Sequence, residues 1–131
     1  MLTISESELK VHLMKVNATK AVVELDGKQE VSFRINAKIE DEEKKPDHAR
    51  VKFELSISTD PKFATLELEG LAEVTGDSLG RLEKTDPSGN VPLLVFDLYR
   101  RLYPMVYLMA NSIDSPAPSP ALLSAPDEPA T

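Results

Sequence analysis

The first two-thirds of the chain alternates apolar and polar residues with a period of two, the mark of strands that bury one face. Leu9, Val11, Leu13 and Val16 open the first stretch, and Ala21, Val23 and Leu25 continue it. Asp26-Gly27 follows. Glycine accepts the positive φ of a type I′ turn, so this dipeptide predicts a tight hairpin into the second strand. Val31, Phe33, Ile35, Ala37 and Ile39 then alternate with Ser32, Arg34, Asn36 and Lys38. The run Glu40 to His48, EDEEKKPDH, reads as a solvated charged loop around Pro46. Val51, Phe53, Leu55 and Ile57 define a third strand, and Asp60-Pro61 a turn. Phe63, Leu66, Leu68, Leu71 and Val74 define a fourth, with Gly70 as a bulge. Asp77 to Asn90, carrying Gly80, Pro87 and Gly89, reads as a loop.

The period then changes. Val91 to Ala110 reads VPLLVFDLYRRLYPMVYLMA, and its only charges, Asp97, Arg100 and Arg101, share one narrow stripe of a helix. Asn90 suits the cap and Pro92 the first turn. Asp97 and Arg101 have the i,i+4 spacing of an acid–base pair. Pro104 cannot donate to the carbonyl of Arg100, which predicts a kink or a split. A helix apolar over most of its circumference must be covered on more than one side. The sheet supplies one cover, and a second copy of the chain is the expected other. This gives a homodimer or homotetramer with helices sandwiched between sheets and Leu94, Leu98, Tyr99, Met105 and Met109 at the interface.

Strands followed by a helix give an α+β fold, a four-stranded antiparallel sheet with a long C-terminal helix packed on one face. The domain runs over 1–114. SPAPSPALLSAPDEPAT follows, proline-rich and free of Lys and Arg. Such a composition has little to bury, so 115–131 is expected to be a flexible tail, with Leu122 and Leu123 as a small anchor. Truncation after Asp114 is then expected to leave Tm nearly unchanged.

A length of 131 residues fits one domain. The net charge of -7 argues against nucleic acid and anionic membrane as partners, since both need clustered Lys and Arg. With no cysteine, disulfides, thiol catalysis and Cys-ligated metals are excluded. MLTISESELKVH has neither the basic nor the apolar region of a secretory leader. The apolar run has the length of a membrane span, but Asp97, Arg100, Arg101 and Pro104 near its middle oppose insertion. A soluble cytoplasmic protein is expected.

Catalytic signals are weak. His12 and His48 are the only histidines and have no Ser, Asp or Glu at a diagnostic spacing, so exposed side chains are expected. Glu54, Glu67, Glu69 and Glu73 fall on strand exteriors. Asp97 is the one carboxylate in an apolar setting that general acid–base chemistry would want, and a partner for Arg101 is its plainer role. Glu40 to Glu43 lacks the spaced ligands of a calcium loop, and Gly76, Gly80 and Gly89 form no phosphate-binding pattern. No enzyme activity, metal or cofactor is expected. Tyr99, Tyr103 and Tyr107 recur every fourth residue, a stripe suited equally to core and interface.

In its order of elements the chain resembles the SecB family of export chaperones. VHLMKVNATKAVVEL (Val11 to Leu25) is similar to the family's long first strand, ARVKFELSIST (Ala49 to Thr59) to its third, and KFATLELEGLAEVTG (Lys62 to Gly76) to its fourth. NVPLLVFDLYRRLYPMVYLMANSIDSPAP resembles its main helix. The resemblance implies a dimer of dimers and ATP-independent binding of unfolded polypeptides in apolar grooves. Phe33, Phe53, Phe63, Tyr103 and Tyr107 are the candidate peptide-binding residues, with core packing the plainer role for Phe33 and Phe53. Glu24 matches one acidic contact for the SecA motor, but the other falls on Lys20, which argues against SecA docking. The tight Asp26-Gly27 hairpin departs from the family's long crossover, and only ALLSAPDEPAT stands where its second helix should follow. The rival reading is a non-enzymatic oligomeric scaffold or adaptor for one specific protein partner.

Overall fold

The computed structural model describes residues 9–21, 31–89 and 91–121. It contains β1 (Leu9–Lys20), β2 (Ser32–Lys45), β3 (His48–Asp60), β4 (Ala64–Thr75), α1 (Asp77–Glu83) and α2 (Leu93–Ser112). The strands form one four-stranded antiparallel sheet in the order β1-β4-β3-β2, and α2 packs on one face.

This order corrects the expected hairpin between the first two strands. β1 and β2 are opposite edges with two strands between them, so residues 21–31 must link positions about 14 Å apart across the sheet. A local turn signal is outweighed by the pairing of β1 with β4, which sets Leu9 opposite Val74 and Val16 opposite Leu68. The link is a crossover of the kind the SecB resemblance implies. Residues 22–30, which include Glu24 and Asp26-Gly27, lie outside the described residues.

The central strands follow the alternation closely. Ala49, Val51, Phe53, Leu55 and Ile57 of β3 are buried, as are Leu66, Leu68, Ala72 and Val74 of β4. They meet Leu94, Leu98, Leu102, Val106, Met109 and Ala110 of α2 in a single core. The edge strands are only partly covered, with Phe33, Ile35 and Ile39 on β2 and Val11 and Ala18 on β1 packed against that core.

Three expected loops or breaks are different in the structure. Glu40 to Lys45 is strand, not loop, and β2 turns into β3 at Pro46 and Asp47. Cross-strand charge supports the extension, since Arg50 lies 3.6 Å from Glu42 and 3.9 Å from Glu43. Asp77 to Glu83 is helix α1, with Asp77 in its first turn and Arg81 in its last, the signs that complement the helix dipole. Leu79 and Leu82 tie it to the core. Finally, α2 runs unbroken through Pro104. Pro104 and Arg100 are both exposed, so water can satisfy the carbonyl that the proline leaves without a donor.

Gly70 does not form the bulge itself. The extra residue sits on the partner strand, where the register slips between Leu13 and Lys15 opposite Gly70 and Glu69. A Cβ added at Gly70 would collide with the His12 carbonyl oxygen and lie 2.9 Å from Phe53 Cζ. The absent side chain lets β1 approach β4 and the Phe53 ring fill the space beneath. Gly70→Ala is therefore expected to destabilise the fold by about 1–3 kcal/mol through overpacking. Urea unfolding should show this as a lower midpoint with an unchanged slope.

Candidate binding surface

The second cover of α2 is the chain itself. On one flank Asp97, nearly buried, accepts from Arg81 of α1 at 2.5 Å and from Arg100 at 3.2 Å. This corrects the Asp97–Arg101 pair. Arg101 instead donates to the Leu9 carbonyl at 3.1 Å and tethers the start of β1.

On the other flank lies the segment after the helix. α2 ends in a Schellman motif, in which Asp114 N–H donates to Asn111 O at 3.2 Å and Ser115 N–H to Ala110 O at 2.9 Å. Asp114 takes the left-handed position with φ 54°. The chain reverses there and runs back along α2. Tyr99 Oη donates to Ser119 O and Tyr103 Oη to Pro118 O, both at 2.7 Å. Pro118 is fully buried, Ser115 is buried, and Ala117 packs against the core. The flexible tail expected from Ser115 is thus a docked strap as far as Ser119, while 122–131, with Leu122 and Leu123, lie outside the described residues.

These contacts take four of the five expected interface residues into the core of one chain. Leu94, Leu98, Tyr99 and Met109 are buried within one chain, and Met105 is partly buried. Of the peptide-binding candidates, Phe53 and Phe63 are buried at 2% and 5% exposure and serve the core. Phe33 and Tyr103 are partly buried, and Tyr107 is 51% exposed.

Two apolar margins of the sheet stand out. One is a narrow seam between α2 and edge strand β2, where Ala37 is exposed and Ile39 half-buried above the buried side chains of Phe53, Leu55, Val95, Leu98 and Leu102, with Lys38 and Glu54 at its sides. The unpaired edge of β2 borders it. The other is at the β1 edge, where Leu13, Met14 and Val16 are exposed; on α2, Leu108 is exposed as well. Met14 escapes a period-two reading because it falls at the bulge; the break in alternation between Leu13 and Val16 was its only signal.

Apart from Leu71, which falls on the outer face of β4 and not in the core, the outer face of the central strands is polar. Lys15 meets Glu69 at 3.8 Å, and Asn17 donates to Glu67 at 3.1 Å. Both histidines face one carboxylate: His12 Nε2 is 3.0 Å and His48 Nε2 3.5 Å from Glu73. His12 is exposed as expected and His48 is half-buried; their shared carboxylate comes from sheet register, which joins residues that sequence spacing separates. Hydrogen bonds from His12 and then His48 hold the Glu73 carboxyl below its ordinary range. Among the described residues, no group of three or more His, Asp or Glu side chains is placed to hold a metal ion, and no helix is long and apolar enough to cross a membrane.

No protein-family model and no curated protein matches the sequence. Among solved structures, the fold is similar to the Mycobacterium tuberculosis Rv1957 SecB-like chaperone, determined in complex with a ChAD peptide from the Rv1956 HigA1 antitoxin. The TM-score is 0.52 at 14% identity, over 86% of this chain and 89% of that one. The architecture is therefore SecB-like. At this identity the likeness extends to the fold.

Tyr99 supplies a direct probe of the strap. Burial, and secondarily the neighbouring Tyr103, push its phenol up to about 12. The neutral form is the hydrogen-bond donor, so its contribution is complete below the unfolded value of about 10 and is lost as pH rises through about 12. A tyrosinate absorbance titration should contain a component near 12 that disappears in Tyr99→Phe. Truncation after Asp114 removes both phenol bonds and the buried proline. It should lower Tm by on the order of 5–10 °C, reversing the expectation from composition.

Proposed function

We propose that this chain is a non-enzymatic, SecB-like polypeptide-binding protein that holds unfolded or extended segments without ATP. The seam between α2 and β2 carries this reading. It places an apolar floor beside an edge strand whose backbone groups can pair with an added strand. Main-chain bonds would then give affinity without sequence, and the apolar floor would take alternate side chains. The SecB-like neighbour, determined in complex with a peptide, supports polypeptide binding as the kind of function. The sharply acidic composition suits a partner bound by shape and apolar contact over one bound through phosphate.

Self-association is the second element of the reading. Leu13, Met14 and Val16 replace the buried helix residues as its interface, beside the unpaired β1 edge. Sedimentation at micromolar concentration should give a dimer or tetramer, and Met14→Asp with Val16→Asp should give a monomer. A monomeric parent chain would refute this element. SecA is not a required partner: a lysine, Lys20, stands where the resemblance implies an acidic contact, and its Nζ donates to the Asp114 carbonyl at 2.9 Å.

An adaptor that binds one specific partner is the second reading, favoured by the antitoxin origin of the neighbour's peptide. Suppression of aggregation separates the two. The holdase reading expects the parent chain to keep several unrelated unfolded clients soluble. It also expects Ala37→Glu, at an exposed position on the seam, to abolish this with little change in Tm. Failure with every client would leave the adaptor reading.

A further inference from the structure

Val95, Tyr99, Tyr103 and Tyr107 form one i,i+4 row along α2. Val95 lines the seam beside β2, and the next two members of the row hold the strap. The groove proposed for clients and the bed of the strap are thus neighbouring stretches of one helix flank.

The chemistry of the strap is that of a peptide ligand. Pro116, Pro118 and Pro120 alternate with Ser115, Ala117 and Ser119, and a residue before proline is driven to extended conformations. The strap is therefore extended before it docks, and it loses little entropy on binding. Its polar hold consists of main-chain carbonyls accepting from two phenols, a pattern that any extended chain can supply. Its apolar hold is the buried ring of Pro118 and the small Ala117 side chain packed against the core. Its prolines carry no N–H, so it cannot pair along the β2 edge as a longer polypeptide could.

We propose that the Ser115–Ser119 strap occupies the continuation of the client seam along α2, and that an unfolded polypeptide longer than the seam takes the whole flank by displacing the strap from Tyr99 and Tyr103. This rests on the polypeptide-binding reading above. A site occupied by its own chain shows a reduced apparent affinity, and freeing it restores the intrinsic value. The Schellman turn at Asp114 is the hinge, since its two terminal bonds can hold the helix end while the strap beyond them leaves.

The test uses the full chain and a reduced, dye-labelled unfolded polypeptide as client. Pro118→Asp puts a charge where the buried ring sits and leaves the tyrosines intact. It should bind the client about three- to tenfold more tightly than the parent chain. In the parent chain, saturating client should speed hydrogen exchange at the Ala117 and Ser119 amides. Unchanged strap exchange with bound client overturns the proposal while leaving the polypeptide-binding reading intact. Equal affinity of a folded Pro118→Asp chain does the same. Absence of client binding by both chains overturns the polypeptide-binding reading and the strap's role with it. Should Pro118→Asp fail to fold, exchange in the parent chain decides.

Discussion

A helix with apolar side chains around most of its circumference cannot exist in water without covers on several sides, and every other element is arranged to meet that demand. The sheet takes the face bearing Leu94, Leu98, Leu102 and Met109. α1 takes a flank through Arg81, which also neutralises Asp97. The strap takes the opposite flank through Pro118. Asp97 shows the electrostatic side of the same constraint. A nearly buried carboxylate needs charge partners, and it has one on each side, Arg81 from α1 and Arg100 from its own helix.

The same packing separates structural aromatic residues from those free to recognise something. Phe53 is committed because Gly70 leaves room for its ring, and Phe63 because its turn is fastened by Thr59, whose Oγ1 accepts from Phe63 N–H at 2.9 Å and Ala64 N–H at 3.0 Å. What remains available is at the margins of the sheet, where coverage by α2 runs out. A binding function located there follows from geometry: one helix is too narrow to roof four strands.

Legibility from the sequence follows the range of the interactions. β3 and the first half of β2 were readable because alternation such as Val51, Phe53, Leu55 and Ile57 is a local record of a buried face. α2 was readable because its apolar run is long. The pairing of β1 with β4 was not, because Asp26-Gly27 signals a local turn whereas the sheet order is fixed by register over the whole strand length. α1 was hidden by Gly80, a helix-weakening residue that sits with open space around it. The strap was misread because composition shows how little apolar area SPAPSPA carries. It cannot show two phenols aimed at its carbonyls, or a Schellman turn at Asp114 that sends the segment back along α2.

The two rims of the sheet are unlike one another, and this limits how copies of the chain can add together. Contact between a β1 rim and a β2 rim would be head-to-tail, and such contacts repeat without closing. The Glu40–Lys45 half of β2 carries six consecutive charged residues, four acidic and two basic, along its unpaired side. Charge on an edge strand discourages unplanned pairing. The β1 rim is guarded more thinly, by Lys10, Lys15 and Lys20 and by the bulge at Met14. Unlimited fibre growth is thus resisted on both rims, and most strongly by the charge on β2, in a protein whose open sheet edges would otherwise invite it.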